Sequence, residues 1–116
     1  MGSQSEHYDK YRHNKNFIDN GIRNKDDFLD WYITGVFYCG VHLIEYVLAS
    51  HKINSENHTE RFKNLRVLKI DENVLVDYKN LYLLSKKSRY ECIKIKNNDA
   101  VKAQQYLDSL LSFTNI

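Results

Sequence analysis

Residues 31–50, WYITGVFYCGVHLIEYVLAS, are apolar around almost the whole circumference of a helix yet carry His42 and Glu45 in their middle. Such a helix must be enclosed by others. An ionisable group on it must be paired or engaged in chemistry, because leaving it unsatisfied in the interior costs on the order of several kcal/mol. The run lies near the lower length limit for a bilayer span, is interrupted by those two polar residues and leads into a polar turn. Neither a membrane span nor a signal peptide is therefore expected.

The chain has 116 residues with no proline, four glycines and no alternating stretch of any length, a pattern that predicts an all-α fold. The punctuation predicts a single-domain five-helix bundle over residues 1–116. A polar first helix covers about residues 5–20 and stops at Asn20-Gly21. Asn24, ahead of Asp26 and Asp27, starts the second, which reaches about His51. A short polar connection, residues 52–56, leads to a third helix capped by Ser55 or Asn57 and ending near Lys69. Asp71 caps a fourth, roughly residues 72–92, with Val74, Leu75, Tyr78, Leu81, Tyr82 and Ser85 on one stripe. Asn97 or Asn98 opens the fifth, in which Ala100, Ala103, Tyr106, Leu107, Leu110 and Leu111 repeat at three and four.

Seventeen Lys and Arg against fifteen Asp and Glu give a formal charge of +2, too balanced to identify a nucleic-acid binder by charge alone. Any such case rests on local clusters. Cys39 and Cys92 have no CxxC companion and read as reduced core thiols, which fits a cytoplasmic protein. The five histidines show no HxxxH or HExxH spacing, so no metal site and no cofactor are expected. A glycine-rich phosphate loop and a GxSxG elbow are also absent from the sequence.

Two groups of residues carry chemical interest. His42 and Glu45 form a polar strip with Tyr38 and Tyr46 on the apolar helix, and Arg89 is the nearest obvious counter-charge. A carboxylate and a guanidinium facing each other between packed helices would satisfy both and fix register. Such a pair is more often internal structure than part of a functional site, since structural networks also perturb pKa values. His58 and Arg61 stand three apart at the start of the third helix, in a polar setting where both are expected to be accessible. An imidazole beside a guanidinium can move a 2′-hydroxyl proton and stabilise the developing phosphorane charge without a metal. The alternative is a capping turn followed by a solvated basic helix, which Lys63 and Arg66 extend.

Three segments carry a resemblance to a known family. Phe37, Tyr38, His42 and Glu45 match an FYxxxHxxE helix, His58 and Arg61 an SHxxR turn with Asn57 in the serine position, and Ser85, Arg89 and Tyr90 an SxxxRY helix end. Together with the short amphipathic C-terminal helix, they resemble the HEPN superfamily of small helical-bundle proteins, over most of the chain. The resemblance implies a homodimeric bundle and roles in RNA cleavage, toxin–antitoxin pairs, antiviral defence or partnership with nucleotidyltransferases. Nuclease members carry an arginine followed four to six residues later by a histidine. Arg12, Arg23, Arg61, Arg66 and Arg89 all lack that histidine. Two readings follow. One is a binding module for RNA, a nucleotide or a partner protein such as an antitoxin or nucleotidyltransferase, using His42, Glu45, Arg66, Arg89 and Tyr90. The other is a metal-independent endoribonuclease with catalytic His58 and Arg61 at a dimer interface.

Overall fold

The computed structural model describes residues 2–91 and 94–115, and every regular element among them is helical. The five helices are α1 (Gln4–Asn16), α2 (Leu29–Ser50), α3 (His58–Val67), α4 (Glu72–Tyr90) and α5 (Asn97–Thr114). Local chemistry accounts for most of their starts. Ser3 and Glu6 satisfy each other's backbone N–H groups in a capping box ahead of α1. Asn57 Oδ1 accepts from Glu60 N at 2.9 Å and Asp71 Oδ1 from Asn73 N at 2.8 Å, as expected for α3 and α4. The Asp99 carboxylate takes the Lys96 N–H at 3.1 Å and closes the first turn of α5.

Three boundaries differ from the sequence expectation. The α-helical part of α1 ends at Asn16, and the chain continues to Gly21 as a wider π-helical turn, Phe17–Gly21. Gly21 does not adopt a positive φ, so the path stops there without a left-handed glycine. Asp26 and Asp27 lie not in α2 but in a separate 3-10 turn, Lys25–Asp27, and α2 begins only at Leu29. The fourth helix ends at Tyr90, where Glu91 is extended. Cys92 lies outside the described residues. Two helices end on lysine where glycine is usual. Lys52 and Lys69 take φ of 61° and 56°, while Ile53 N reaches back to Leu48 O and Ile70 N to Leu65 O. These are Schellman endings whose following isoleucine packs on the core.

The apolar α2 sits at the centre, with α1, α4 and α5 packed around it. Ile33, Val36, Phe37, Leu43, Ile44 and Leu48 are fully buried. They meet Tyr11 and Ile18 from the α1 side, Tyr78 and Leu81 from α4, and Ala100, Ala103, Leu107 and Leu110 from α5. Among the described residues α2 is long and apolar enough to cross a membrane by composition, but most of it is enclosed by its own bundle. The α3 helix packs more lightly, burying Arg61 and Leu65.

Gly35 fixes how closely the π-helical turn approaches α2. A Cβ there would collide with Ile18 and press on Phe17. Gly35→Ala is therefore expected to destabilise the protein by about 1–3 kcal/mol, the usual range for overpacking, measured as a drop in the urea midpoint at unchanged helix content.

Candidate functional site

Glu45 points from the middle of α2 into the bundle and is fully buried, and its partner is Arg61, not Arg89. Arg61 Nε donates to Glu45 Oε1 at 2.7 Å. Arg61 itself is 4% exposed, which corrects the expectation that it is accessible. The first turn of α3 lies over α2 and sends the guanidinium inward, where Nη1 donates to Tyr78 Oη at 3.2 Å and to His58 Nδ1 at 3.0 Å. Burial works against the Arg61 charge, but Tyr78 and Glu45 outweigh it and hold its pKa above the ordinary value. Burial pushes the Tyr78 phenol up to about 12, against the pull of Arg61. Glu45 Oε2 is buried without a hydrogen bond among the described residues.

His58 is half-buried at the edge of this network. Its ring lies 4.9 Å from Tyr82 and 5.4 Å from Phe37, centre to centre. A guanidinium can only donate, so the Arg61 contact requires a lone pair on His58 Nδ1 and places the proton of the neutral ring on Nε2. Burial first, then the charges of Arg61 and Arg89, lower the His58 pKa. His58 is thus a neutral ring that presents an N–H.

His42 is held from the other side by a residue that sequence reading missed. His7 of α1 is buried, and its Nδ1 lies 3.0 Å from His42 Nδ1. One ring donates and the other accepts, so both cannot be charged while the contact lasts. Burial and the neighbouring His7 depress the His42 pKa to about 4, and burial likewise lowers that of His7, which Glu45 partly opposes. The signal was present in the sequence, since His7 and Tyr11 stand four apart on the narrow non-polar face of an otherwise charged helix.

Arg89 and Tyr90 lie elsewhere, at the end of α4. Arg89 Nη1 donates to Tyr38 Oη at 3.2 Å and Nε to Ser85 O at 3.3 Å. Its guanidinium carbon sits 5.0 Å from the Tyr90 ring centre, 5.4 Å from Phe37 and 5.8 Å from Tyr38. Beside it opens a cleft of about 420 Å³ lined by Asp30, Trp31, Thr34, Tyr38, Ser88, Arg89 and Tyr90. Trp31 is 58% and Tyr90 70% exposed, and among the described residues Arg89 makes no ion pair. Arg66 is exposed on α3, apart from this cleft. A larger cleft, about 710 Å³, runs along α1. Its charges are mixed, with Lys15 paired to Asp19 and Arg12 donating to the Tyr8 hydroxyl.

The structure therefore brings Glu45, Arg61 and His58 into one buried network joined by Tyr78, with His42 on His7 beside it. Arg89 and Tyr90 take no part in that hydrogen-bond network, although Arg89 and His58 both pack against Phe37. Cys39 is a buried free thiol that burial raises to about 12, which leaves it unreactive near neutral pH. Comparison with family models, with curated proteins and with solved structures finds no match to this chain.

Two stability predictions follow from this geometry. Arg61→Ala strands a buried carboxylate and is expected to destabilise by about 3–5 kcal/mol, whereas replacing Glu45 and Arg61 together by leucine is expected to recover most of that loss. Chemical denaturation of the three proteins reads this directly. The second concerns pH. The unfolded chain protonates His42 near pH 6.5 and the folded chain only near pH 4, so the unfolded state binds more protons between those limits. Stability falls as pH drops through that window, by on the order of 2 kcal/mol for His42. Urea midpoints at pH 7 and 4.5 are expected to converge in His42→Gln, which keeps a hydrogen-bonding side chain but cannot titrate.

Proposed function

We propose that this chain is a HEPN-like binding module for single-stranded RNA, with the Arg89 cleft as its base-holding site. The observation that carries the reading is Arg89 itself, a cation held over aromatic rings beside exposed Trp31 and Tyr90 and hydrogen-bonded to Tyr38. Aromatic faces and a guanidinium plane are what an unstacked base packs against. Asp30, in the same cleft, supplies an acceptor for a base that carries an exocyclic amine. The fold supports the HEPN resemblance at the level of an all-helical bundle. That resemblance adds a homodimer and a toxin–antitoxin or defence context to the proposal, and the cysteines read as reduced thiols add a cytoplasmic setting.

The endoribonuclease reading draws less support from the same geometry. Arg61 is engaged by Glu45 and Tyr78 rather than directed outward. His58 Nδ1 is occupied by Arg61 and its Nε2 bears the proton, so the ring would have to leave its partner before it could accept a 2′-hydroxyl proton.

Labelled hexacytidylate incubated with the protein in EDTA is expected to bind and remain intact. Arg89→Ala is expected to weaken binding roughly tenfold, the worth of one base–aromatic or cation contact of about 1–3 kcal/mol. Cleavage that leaves a 2′,3′-cyclic phosphate and disappears in His58→Ala would restore the catalytic reading. Absence of binding to any single strand would remove the RNA reading.

A further inference from the structure

A second cleft, of about 260 Å³, opens between α3 and α4 and is lined by Thr59, Phe62, Arg66, Lys79, Tyr82 and Leu83. It shares no lining residue with the Arg89 cleft, yet a row of rings joins them by way of Phe37, which is fully buried and underlies the surface between the two. Arg89 stands over Phe37, and Phe37 lies 5.9 Å from Tyr82. Tyr82 then lies 4.9 Å from His58 and 5.9 Å from Phe62, centre to centre. His58 occupies the middle of this row, half-buried, with its Nε2–H left as a donor by the Arg61 contact.

The two ends of the row differ in chemistry. Asp30 lines the Arg89 cleft, so a phosphate there would meet a carboxylate, whereas a base with an amine edge would use it. The α3–α4 cleft has Arg66 and Lys79 in its lining and no acidic residue. Both cations are exposed, and Phe62 and Tyr82 supply aromatic surface between them. Two cations with adjacent rings suit the backbone and next base of a strand.

We infer that the α3–α4 cleft is a second subsite, which takes the phosphate and neighbouring nucleotide of the same single strand whose base occupies the Arg89 cleft. The strand crosses His58, whose N–H donates to it. This inference rests on the RNA reading of the Arg89 cleft.

The test compares cytidine, which has a base but no phosphate, with hexacytidylate by titration calorimetry, on wild type, Arg89→Ala and the double variant Arg66→Gln with Lys79→Gln. Circular dichroism and the thermal midpoint check that each variant folds. The double variant is expected to bind cytidine as wild type does but to bind hexacytidylate at least roughly tenfold more weakly. The slope of log affinity against log salt is expected to shrink by about 0.7 for each cation removed. Unchanged hexacytidylate affinity and slope in the double variant, with binding still lost in Arg89→Ala, would overturn the second subsite and leave the RNA reading standing. Equal weakening of cytidine and hexacytidylate in the double variant would also overturn it, because the substitutions would then act on the Arg89 cleft rather than on a separate phosphate subsite. If wild type binds neither, both readings fall.

Discussion

The ion pair between Glu45 and Arg61 is the constraint on which the rest of the site depends. Glu45 lies fully buried on the central helix, where a lone carboxylate would be strongly unfavourable. Arg61 answers it at 2.7 Å. To do so α3 must bring its first turn over α2, and that placement sets His58 against Phe37 and Tyr82. The same guanidinium reaches Tyr78 on α4, so one side chain ties three helices together. Leu65 is the other buried anchor of α3, which makes the polar pair a large share of what holds that helix in place.

Because Glu45 takes Arg61, Arg89 remains available for the surface. Seven residues separate Glu45 from Tyr38, the residue Arg89 bonds, and at 1.5 Å per residue that is about 10.5 Å along the axis of α2. Arg89 therefore works two turns away from the carboxylate it was expected to meet. Its charge faces rings and a phenol, and among the described residues no acid pairs with it. An uncancelled cation framed by exposed aromatics can engage a ligand, which a satisfied interior pair cannot do without unfolding part of the core.

Much of the architecture was legible in the sequence. The apolar circumference of α2 identified the central helix, Asn57 (with Ser55 as the alternative) and Asp71 marked the starts of α3 and α4, and the stripes of α4 and α5 named the residues that are buried or partly buried there. The choice between Arg61 and Arg89 was not legible, because both lie on helices packed against α2 and only the axial level of each distinguishes them. The ends at Lys52 and Lys69 escaped for a different reason. Glycine is the usual marker of a left-handed helix end, and here a following isoleucine docked on the core holds lysine in that conformation. The π-helical turn depends on Ile18 fitting over Gly35, a contact between residues seventeen apart that no local pattern encodes. The Trp31 cleft was hidden by the same feature that revealed α2, since a tryptophan opening an apolar run reads as core until its exposure is known.

The states of the histidines bear on which chemistry the site can perform. His7, His42 and His58 are all pushed toward the neutral form, chiefly by burial and then, for His42 and His58, by neighbouring rings or cations. A general acid needs a proton to give near neutral pH and a general base needs a free lone pair facing its substrate. His58 offers neither at its open nitrogen while Arg61 holds the other. What it offers is a fixed, uncharged donor beside two aromatic rings. A neutral donor contributes to recognition without adding to the ionic attraction that makes nucleic-acid binding fall with salt. On the proposed RNA reading the division of labour across this face is chemical: exposed cations for charge, rings for stacking, and His58 for a directional hydrogen bond whose orientation is set from inside the protein by the Glu45–Arg61 pair.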